Sequence, residues 1–420
     1  MRALCFSLAV CGAVLLAWFF AASSEDSYLA SAKSGGKWGL IDSRGKWVVD
    51  PKFQWIDAFD DKGMAKVILT CDNEYDGYYG ECIRDMWGFI NRKGEWVIPP
   101  KFDFIDYFSA DGIASAVIST GKRESGFIDR RGEWVIPPKF RGTNAFAANG
   151  LARAQNDSDR RWGFIDRKGE WVIPPQFDYS VGCFSANGLA KAGSDRKQGF
   201  INVNGEWVIE PQFDFVTGFD ANGLAKASSD GRWGFIDAKG EWVFPPELNF
   251  AGDFFANGLL LAQAMYRGKW GFLDIRGEWV IEPKFGFVGL FAANGLANAR
   301  SADNRRSGFI DTSGEWVILP QFDDVRGFAD NGLAPAKNDG EWGFINAMGE
   351  WVIPPQFYDV SDFSGNGLAG ASIESDDEES SPLCVCHADG GKWGFINIRG
   401  EWVIEPQFSA VGSFAAIGRR

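Results

Sequence analysis

Ten near-copies of one stretch limit what this chain can fold into. The fourth reads Trp162-Gly-Phe-Ile-Asp-Arg-Lys-Gly-Glu-Trp-Val-Ile-Pro-Pro-Gln-Phe177, and almost every residue after the first 25 belongs to a copy or to a connector. A fixed internal period of a few tens of residues marks an array of similar supersecondary units. The glycine after the first tryptophan, or its equivalent, falls at Gly39, Gly88, Gly126, Gly163, Gly199, Gly234, Gly271, Gly308, Gly343 and Gly394. Seven of the nine intervals are 35–38 residues, while the first and last, 49 and 51, are lengthened by insertions.

One unit runs from Gly188 to Phe219. Gly188-Leu-Ala-Lys-Ala192 has small residues on one face, and Gly199-Phe-Ile-Asn202 and Glu206-Trp-Val-Ile209 follow, each alternating as an extended strand does. An Asx residue, two mostly polar residues and a glycine join the last two runs, which predicts a hairpin: the Asx side chain bonds the turn backbone and the glycine supplies positive φ. Pro211 then removes a donor and is expected to stop the third strand. Phe213 and Phe219 are spaced to pin the connector onto the core.

Trp162 and Phe164 share one strand face and Ile165 the other, so both faces are apolar and neighbouring units are expected to stack. A lone unit of this size buries too little surface to fold. The phase of the unit follows from the chain ends. Leu29-Ala-Ser-Ala32 precedes the first Trp-Gly, and the chain stops shortly after Phe414, where an eleventh small strand would begin. Ten complete three-stranded antiparallel units therefore fit, with none split to clasp a ring. The expected fold is all-β, a tandem array stacked as an open arc or superhelical solenoid. The alternative is a closed β-propeller-like ring, because the small first strand suits positions near an axis; ten units exceed the usual four to eight blades.

Residues 1–24 hold one charge, Arg2, and an apolar run from Ala3 to Ala22, then small residues before Glu25. This reads as a secretory signal peptide cleaved near Ser23 or Ser24, with an uncleaved anchor as the alternative. Leu8-Ala-Val-Cys11 is a poor lipoprotein signal, since Val precedes the cysteine. The mature array, 25–420, is expected to be secreted, periplasmic or at the cell surface. Its formal charge is −14 less the one positive charge of Arg2, or −15. With a pI near 4.7, nucleic acid and anionic membrane are disfavoured as partners; the acids chiefly keep an apolar array soluble.

Two insertions interrupt the period, 68–85 and 372–391, both between the small strand and the Trp-Gly strand. They carry Cys71, Cys82, Cys384 and Cys386, which in an exported protein are candidates for disulfides. Pairing Cys71 with Cys82 would contribute on the order of 3 kcal/mol. Cys384-Val-Cys386-His387 has a metal-like composition but no zinc-site spacing, so no metal is assigned. Cys183 occupies a site held elsewhere by Gly, Asp or Leu and reads as an inert small residue.

The tryptophan after the turn is present in every unit: Trp47, Trp96, Trp134, Trp171, Trp207, Trp242, Trp279, Trp316, Trp351 and Trp402. It reads as structural core. The tryptophan before the glycine occurs as Trp38, Trp87, Trp162, Trp233, Trp270, Trp342 and Trp393, but Ser125, Gln198 and Ser307 replace it in three units. A site accepting Ser and Gln is not expected to be deep core throughout. These seven are therefore candidate ligand-binding residues, since flat aromatic faces suit sugar rings and protein partners; clamping the adjoining loop is the competing reading.

Catalysis finds little support. His387 is the only histidine, and the glutamate before each core tryptophan, Glu95 to Glu401, recurs nine times. Nine equivalent carboxylates are a solvated face or a turn contact, not one tuned acid–base pair. The glycines read as turn residues and not as a phosphate cradle, and no cofactor is implied.

The repeated Trp-Gly-Phe-Ile-Asp-x-x-Gly-Glu-Trp-Val-Ile-x-Pro-x-Phe, followed by Phe and Gly-Leu-Ala, resembles the WG-repeat family over about residues 28–418. The resemblance implies a tandem β-repeat protein, often exported, with no agreed activity and no catalytic residues to carry over. The expected function is a non-enzymatic scaffold binding another protein; the alternatives are carbohydrate or cell-wall binding through the seven tryptophans and, further off, a hydrolase built on the inserted loops.

Overall fold

The computed structural model describes residues 28–69, 85–119, 121–178, 181–254, 261–303, 305–373 and 392–416. Among them every regular element is a β-strand, and the strands form ten antiparallel sheets. The second sheet is representative: Trp55–Phe59, Met64–Leu69, Met86–Asn91 and Trp96–Phe102, paired in chain order. The expected hairpin is present, with Phe164 opposite Ile173 and Ile165 opposite Trp171 in the fourth unit. The connector is not a loop, however. It supplies a short first strand, so blades are four-stranded and not three-stranded; the fifth shows three strands among the described residues.

The sheets are the blades of a closed ten-bladed propeller ring, and this overturns the open arc. Ten apolar clusters lie one at each blade-to-blade interface. The last joins the tenth blade to the first, packing Phe395, Ile404 and Phe408 against Ala30, Ala32 and Ile41. Backbone pairing completes the closure: Ala410 and Val411 lie opposite Lys33 and Ala32, and Ala415 and Ala416 opposite Leu29 and Tyr28. The C-terminal connector is thus the first strand of the first blade. The phase inferred from the chain ends missed this clasp because it treated the connector as a loop. Bulk rises from alanine in the second strand to Phe and Ile in the third and Trp and Ile in the fourth. Such faces wedge apart from the first strand outward, which places that strand nearest the axis.

Two glycine classes hold this geometry. Those of the Trp-Gly pairs are not turn residues: none has positive φ. A Cβ on any of the ten would lie 2.2–2.6 Å from a carbonyl oxygen of the fourth strand. Four steps from Ile173 to Phe177 face two from Phe164 to Trp162, so the outer strand bulges and bears on Gly163. Pro211 accordingly lies inside the strand Trp207–Phe213 and does not end it; the bulge accommodates the missing donor. The turn glycines, such as Gly169 with φ 80°, have positive φ as that backbone requires.

Each turn is tied by its Asx side chain. Asp166 Oδ1 accepts from the N–H groups of Lys168 at 2.8 Å and Glu170 at 3.0 Å, and Asp311 does the same with Ser313 and Glu315. Where the residue is Asn, its Nδ2 donates to the recurring glutamate, as Asn91 does to Glu95 at 2.7 Å. That is one use of the nine carboxylates.

These bonds favour the ionised acid. The backbone N–H of Glu170 holds the Asp166 carboxyl below its ordinary value, and the Ser313 hydroxyl, followed by the Glu315 N–H, does so for Asp311. Burial pushes Asp60 up, but Arg130 and the N–H groups of Met64 and Lys62 outweigh it and leave it lowered. A carboxyl lowered on folding contributes stability above its unfolded value, and that stability is lost as pH falls through the folded one. The melting temperature is therefore expected to be flat from pH 7 to 5 and to drop below the ordinary 3.8. Calorimetry from pH 7 to 2 checks this; a transition unchanged at pH 2 would exclude a net contribution from these acids.

Candidate functional site

One row of side chains crosses each blade at the end where the Trp-Gly strand begins. In the second blade Trp55 faces Ile68, Ile68 faces Trp87 and Trp87 faces Phe102. The rows of ten blades make a rim, and the seven variable-site tryptophans lie on it. Trp342 is buried; Trp38, Trp87, Trp162, Trp233, Trp270 and Trp393 are half-buried. The three sites without Trp are not open either. Ser125, Gln198 and Ser307 are at most 2% exposed. Ser125 donates to the Phe140 carbonyl at 3.2 Å and Gln198 accepts from the Val216 N–H at 2.9 Å. Polar replacement signalled a satisfied interior group, not a surface.

The tryptophan faces are engaged by the chain itself. Trp87 contacts Trp55 and Phe104, Trp233 contacts Phe215, and Trp270 lies between Phe250 and Phe287 at 5.2 and 5.8 Å. Arg326 stacks on Trp342 at 4.3 Å and Arg153 on Trp162 at 5.6 Å. The aromatics that the first strands expose on the rim are Phe104, Phe215, Phe250 and Phe287, at 36–42%. Sequence reasoning missed these because it read the connector as a loop. Their signal was the connector position two residues after each Pro-x-Phe or its equivalent, which varies from Trp55 to Asp359.

The turn tryptophans sit one per interface. Each meets the preceding blade's outer phenylalanine edge-on, as Trp134 does Phe102 at 5.5 Å, and Trp47 meets Phe408 in the same way across the closure. They are half-buried clamps between blades, and Trp96 is 39% exposed, because the fourth strand is the outer edge of its sheet.

A polar device recurs at the inner edge. The second-strand residue between the two small ones points toward the next blade's first strand, whose edge carbonyl has no strand partner. Lys191 donates to the Val216 carbonyl at 3.2 Å, Gln263 to Val288 at 2.9 Å, Asn298 to Val325 at 3.2 Å and Ser115 to Thr143 at 3.2 Å. Arg153 donates to Val181, and in the ninth blade, where Pro335 holds this position, Arg326 reaches Val360 instead. An edge carbonyl buried without a donor is costly, so these side chains seal the seams.

Lys66, at the same position of the second blade, is only 4% exposed. Its ammonium lies 4.3–4.7 Å from the ring centres of Trp87, Phe104 and Tyr107. Burial pushes the Lys66 ammonium down against the attraction of Asp106 and Asp57. The Tyr107 hydroxyl donates to Asp57, which pushes the phenol up to about 12.

Cys71, Cys82, Cys384 and Cys386 lie outside the described residues, as does the segment 1–24. The strands bounding the two insertions belong to the second and tenth blades, which the closure brings to either side of the first. Cys183 is free and exposed. Among the described residues no group of three or more His, Cys, Asp or Glu side chains is placed to hold a metal ion. No helix there is long and apolar enough to cross a membrane.

The sequence family described as WG containing repeat matches residues 38–69, 87–118, 126–158, 162–195, 199–233, 233–270, 270–303, 308–342, 342–375 and 393–416. No curated protein matches significantly. Among solved structures, a eukaryotic initiation factor superposes with TM-score 0.51 at 11% identity, covering 94% of this chain and 99% of that one. The dihydro-heme d1 dehydrogenase NirN gives 0.32 at 12% identity, over 94% and 75%. BamB from Moraxella catarrhalis gives 0.30 at 13% identity, over 63% and 87%. At these identities the likeness is one of fold, and the last two scores carry no argument.

Proposed function

The chain belongs to the WG-containing-repeat family, and on that premise we propose that it is an exported, non-enzymatic scaffold whose rim binds another protein. The observation that carries this reading is the run of exposed aromatics on three consecutive blades. Phe215, Phe250 and Phe287 present apolar surface at 39–42% exposure. The ion pairs Arg300–Asp324 and Arg326–Asp359, which bridge the eighth blade to the ninth and the ninth to the tenth, border it. An apolar centre with a polar margin is the anatomy of a protein interface. Export rests on the apolar leader, and the absence of catalysis on the single histidine and the ninefold repetition of the glutamate.

Sugar binding through the seven tryptophans is the weaker reading, because phenylalanines and cations of the same chain already occupy several of their faces. The test is affinity capture with residues 25–420 from secreted protein extracts, alongside retention on insoluble polysaccharide. The wild type is expected to retain a protein partner, and Phe250→Asp with Phe287→Asp to lose it with an unchanged melting temperature. Retention on polysaccharide, abolished by changing Trp38, Trp162 and Trp393, would replace the scaffold reading with the carbohydrate one.

A further inference from the structure

Charge is distributed unevenly around the perimeter of the ring. The perimeter is made by the fourth strand of each blade and the turn leading into it, as in residues 91–102 of the second blade and 129–140 of the third. Over the first three blades these segments carry nine Lys and Arg against five Asp and Glu. The segment of the fourth blade is balanced, and those of the fifth to tenth carry four against thirteen. A basic arc of three blades thus stands on a chain whose formal charge is −14. Lys46, Lys52, Lys93, Lys101, Arg131 and Lys139 of this arc are exposed, and none forms an ion pair among the described residues. Arg130, by contrast, is held by Asp60 at 2.8 Å. The next-to-last residue of the fourth strand reaches toward the next blade's turn. Lys139 Nζ lies 3.5 Å from where a Cβ on Gly169 would stand, and Lys284 pairs with Glu315 at 3.6 Å. Lys52 and Lys101 hold the same position, each directed at a turn that carries Lys93 or Arg131. The fold does not require lysine there, because Gln176, Gln212, Gln321, Gln356 and Gln407 fill the position in five other blades.

We propose that this arc binds a flexible acidic segment of another protein, one with apolar residues among its carboxylates. The perimeter of a ring is convex, so a flat anionic surface meets it along one blade, whereas an extended chain follows all three. Among the cations the fourth strands present Val48 and Val135, 41% and 47% exposed, with Pro99 and Pro137 also at the surface. These receive apolar side chains, which an acidic sugar polymer lacks. Pro99, Pro100, Pro137 and Pro138 remove backbone donors from the outer edge, so docking rests on side chains and not on an added strand. The acidic remainder of the perimeter repels the same segment and steers it to the arc. The arc shares no residue with the exposed phenylalanines of blades six to eight, so it is a second surface and its test is independent of the rim reading.

The experiment is fluorescence-anisotropy titration of residues 25–420 into a labelled peptide of six Glu-Asp-Leu repeats, with an oligogalacturonate of equal charge as competitor. The peptide is expected to bind saturably and to weaken severalfold as salt rises from about 0.05 to about 0.2 M, because exposed charges are screened. The oligogalacturonate is expected to displace it only at concentrations at least about fivefold higher, since it buries no apolar side chain. Lys52→Gln, Lys101→Gln and Lys139→Gln together install the residue that five other blades use. This triple variant is expected to keep the melting temperature and to bind at least about tenfold more weakly. Lys284→Gln makes the same exchange in the acidic seventh blade and is expected to leave binding within about twofold of the wild type. Three results would each overturn the proposal: no binding of the peptide at low salt, undiminished binding by the triple variant, or a loss in Lys284→Gln as large as in Lys101→Gln alone. Equal displacement by the oligogalacturonate would also overturn it, assigning the arc to an acidic polysaccharide.

Discussion

Gly199→Ala is expected to destabilise the ring by about 3 kcal/mol, whereas Gly327→Ala is expected to be neutral or to stabilise by up to about 1 kcal/mol. The difference lies in what each new methyl group meets. At Gly199 it would stand 2.2 Å from the Ile209 carbonyl oxygen and 2.8 Å from the Glu210 carbonyl carbon, both backbone. No rotamer change relieves a clash with backbone, so the outer strand must lift away. That strand carries Trp207, edge-on to Phe177, and Ile209 and Phe213, buried against the sixth blade; lifting it disturbs two interfaces. At Gly327 nothing lies within 4 Å and φ is not positive, so alanine only restricts the unfolded chain. Denaturant unfolding of the two variants beside the wild type checks the pair. Equal stabilities would mean that the Trp-Gly glycine is dispensable to the bulge, and the account of why all ten copies keep it would fall.

The repeat, the all-β class and the hairpin were legible because each has a local cause. Alternation gives strands, and an Asx with a glycine three residues later gives the turn, as at Asp166 and Gly169. Closure was not, because it depends on a pairing between residues almost the whole chain apart, Lys33 with Ala410, which no local pattern encodes. The first strand was hidden for a related reason. Phe215–Val216 is two residues long, too short to show alternation, and its own pairing is supplemented by Gln198 and Lys191 of the preceding blade. The site suffered from the same blindness. Whether Trp162 or Ser125 faces solvent depends on the neighbouring blade, and residue type alone pointed the wrong way for Ser125, Gln198 and Ser307.

Removing residues 409–420 is expected to open the ring and to cost far more than the loss of a terminal segment from an open array. In an array each unit contacts only its neighbours, so trimming an end removes one unit's share of the stability. Here the trimmed segment is the first strand of the first blade. Its loss unpairs Leu29 to Lys33 along one edge, removing the bonds from the Ser409 and Gly412 N–H groups to the Lys33 and Ser31 carbonyls at 3.0 and 2.8 Å. It also removes Phe414, buried against Phe395 at a ring spacing of 4.7 Å, a truncation worth roughly 3–5 kcal/mol by itself. With the clasp gone, the first and tenth blades are held by side-chain packing alone, chiefly Trp47 on Phe408 and Gly45 on Ile404. The truncated chain is expected to melt at lower temperature and to show a larger radius of gyration by small-angle scattering. A synthetic peptide of residues 407–418, added in trans, is expected to restore both by strand addition at the vacated edge. A truncated chain with unchanged size and stability would mean that the ring does not depend on its clasp and that packing between the end blades suffices to close it.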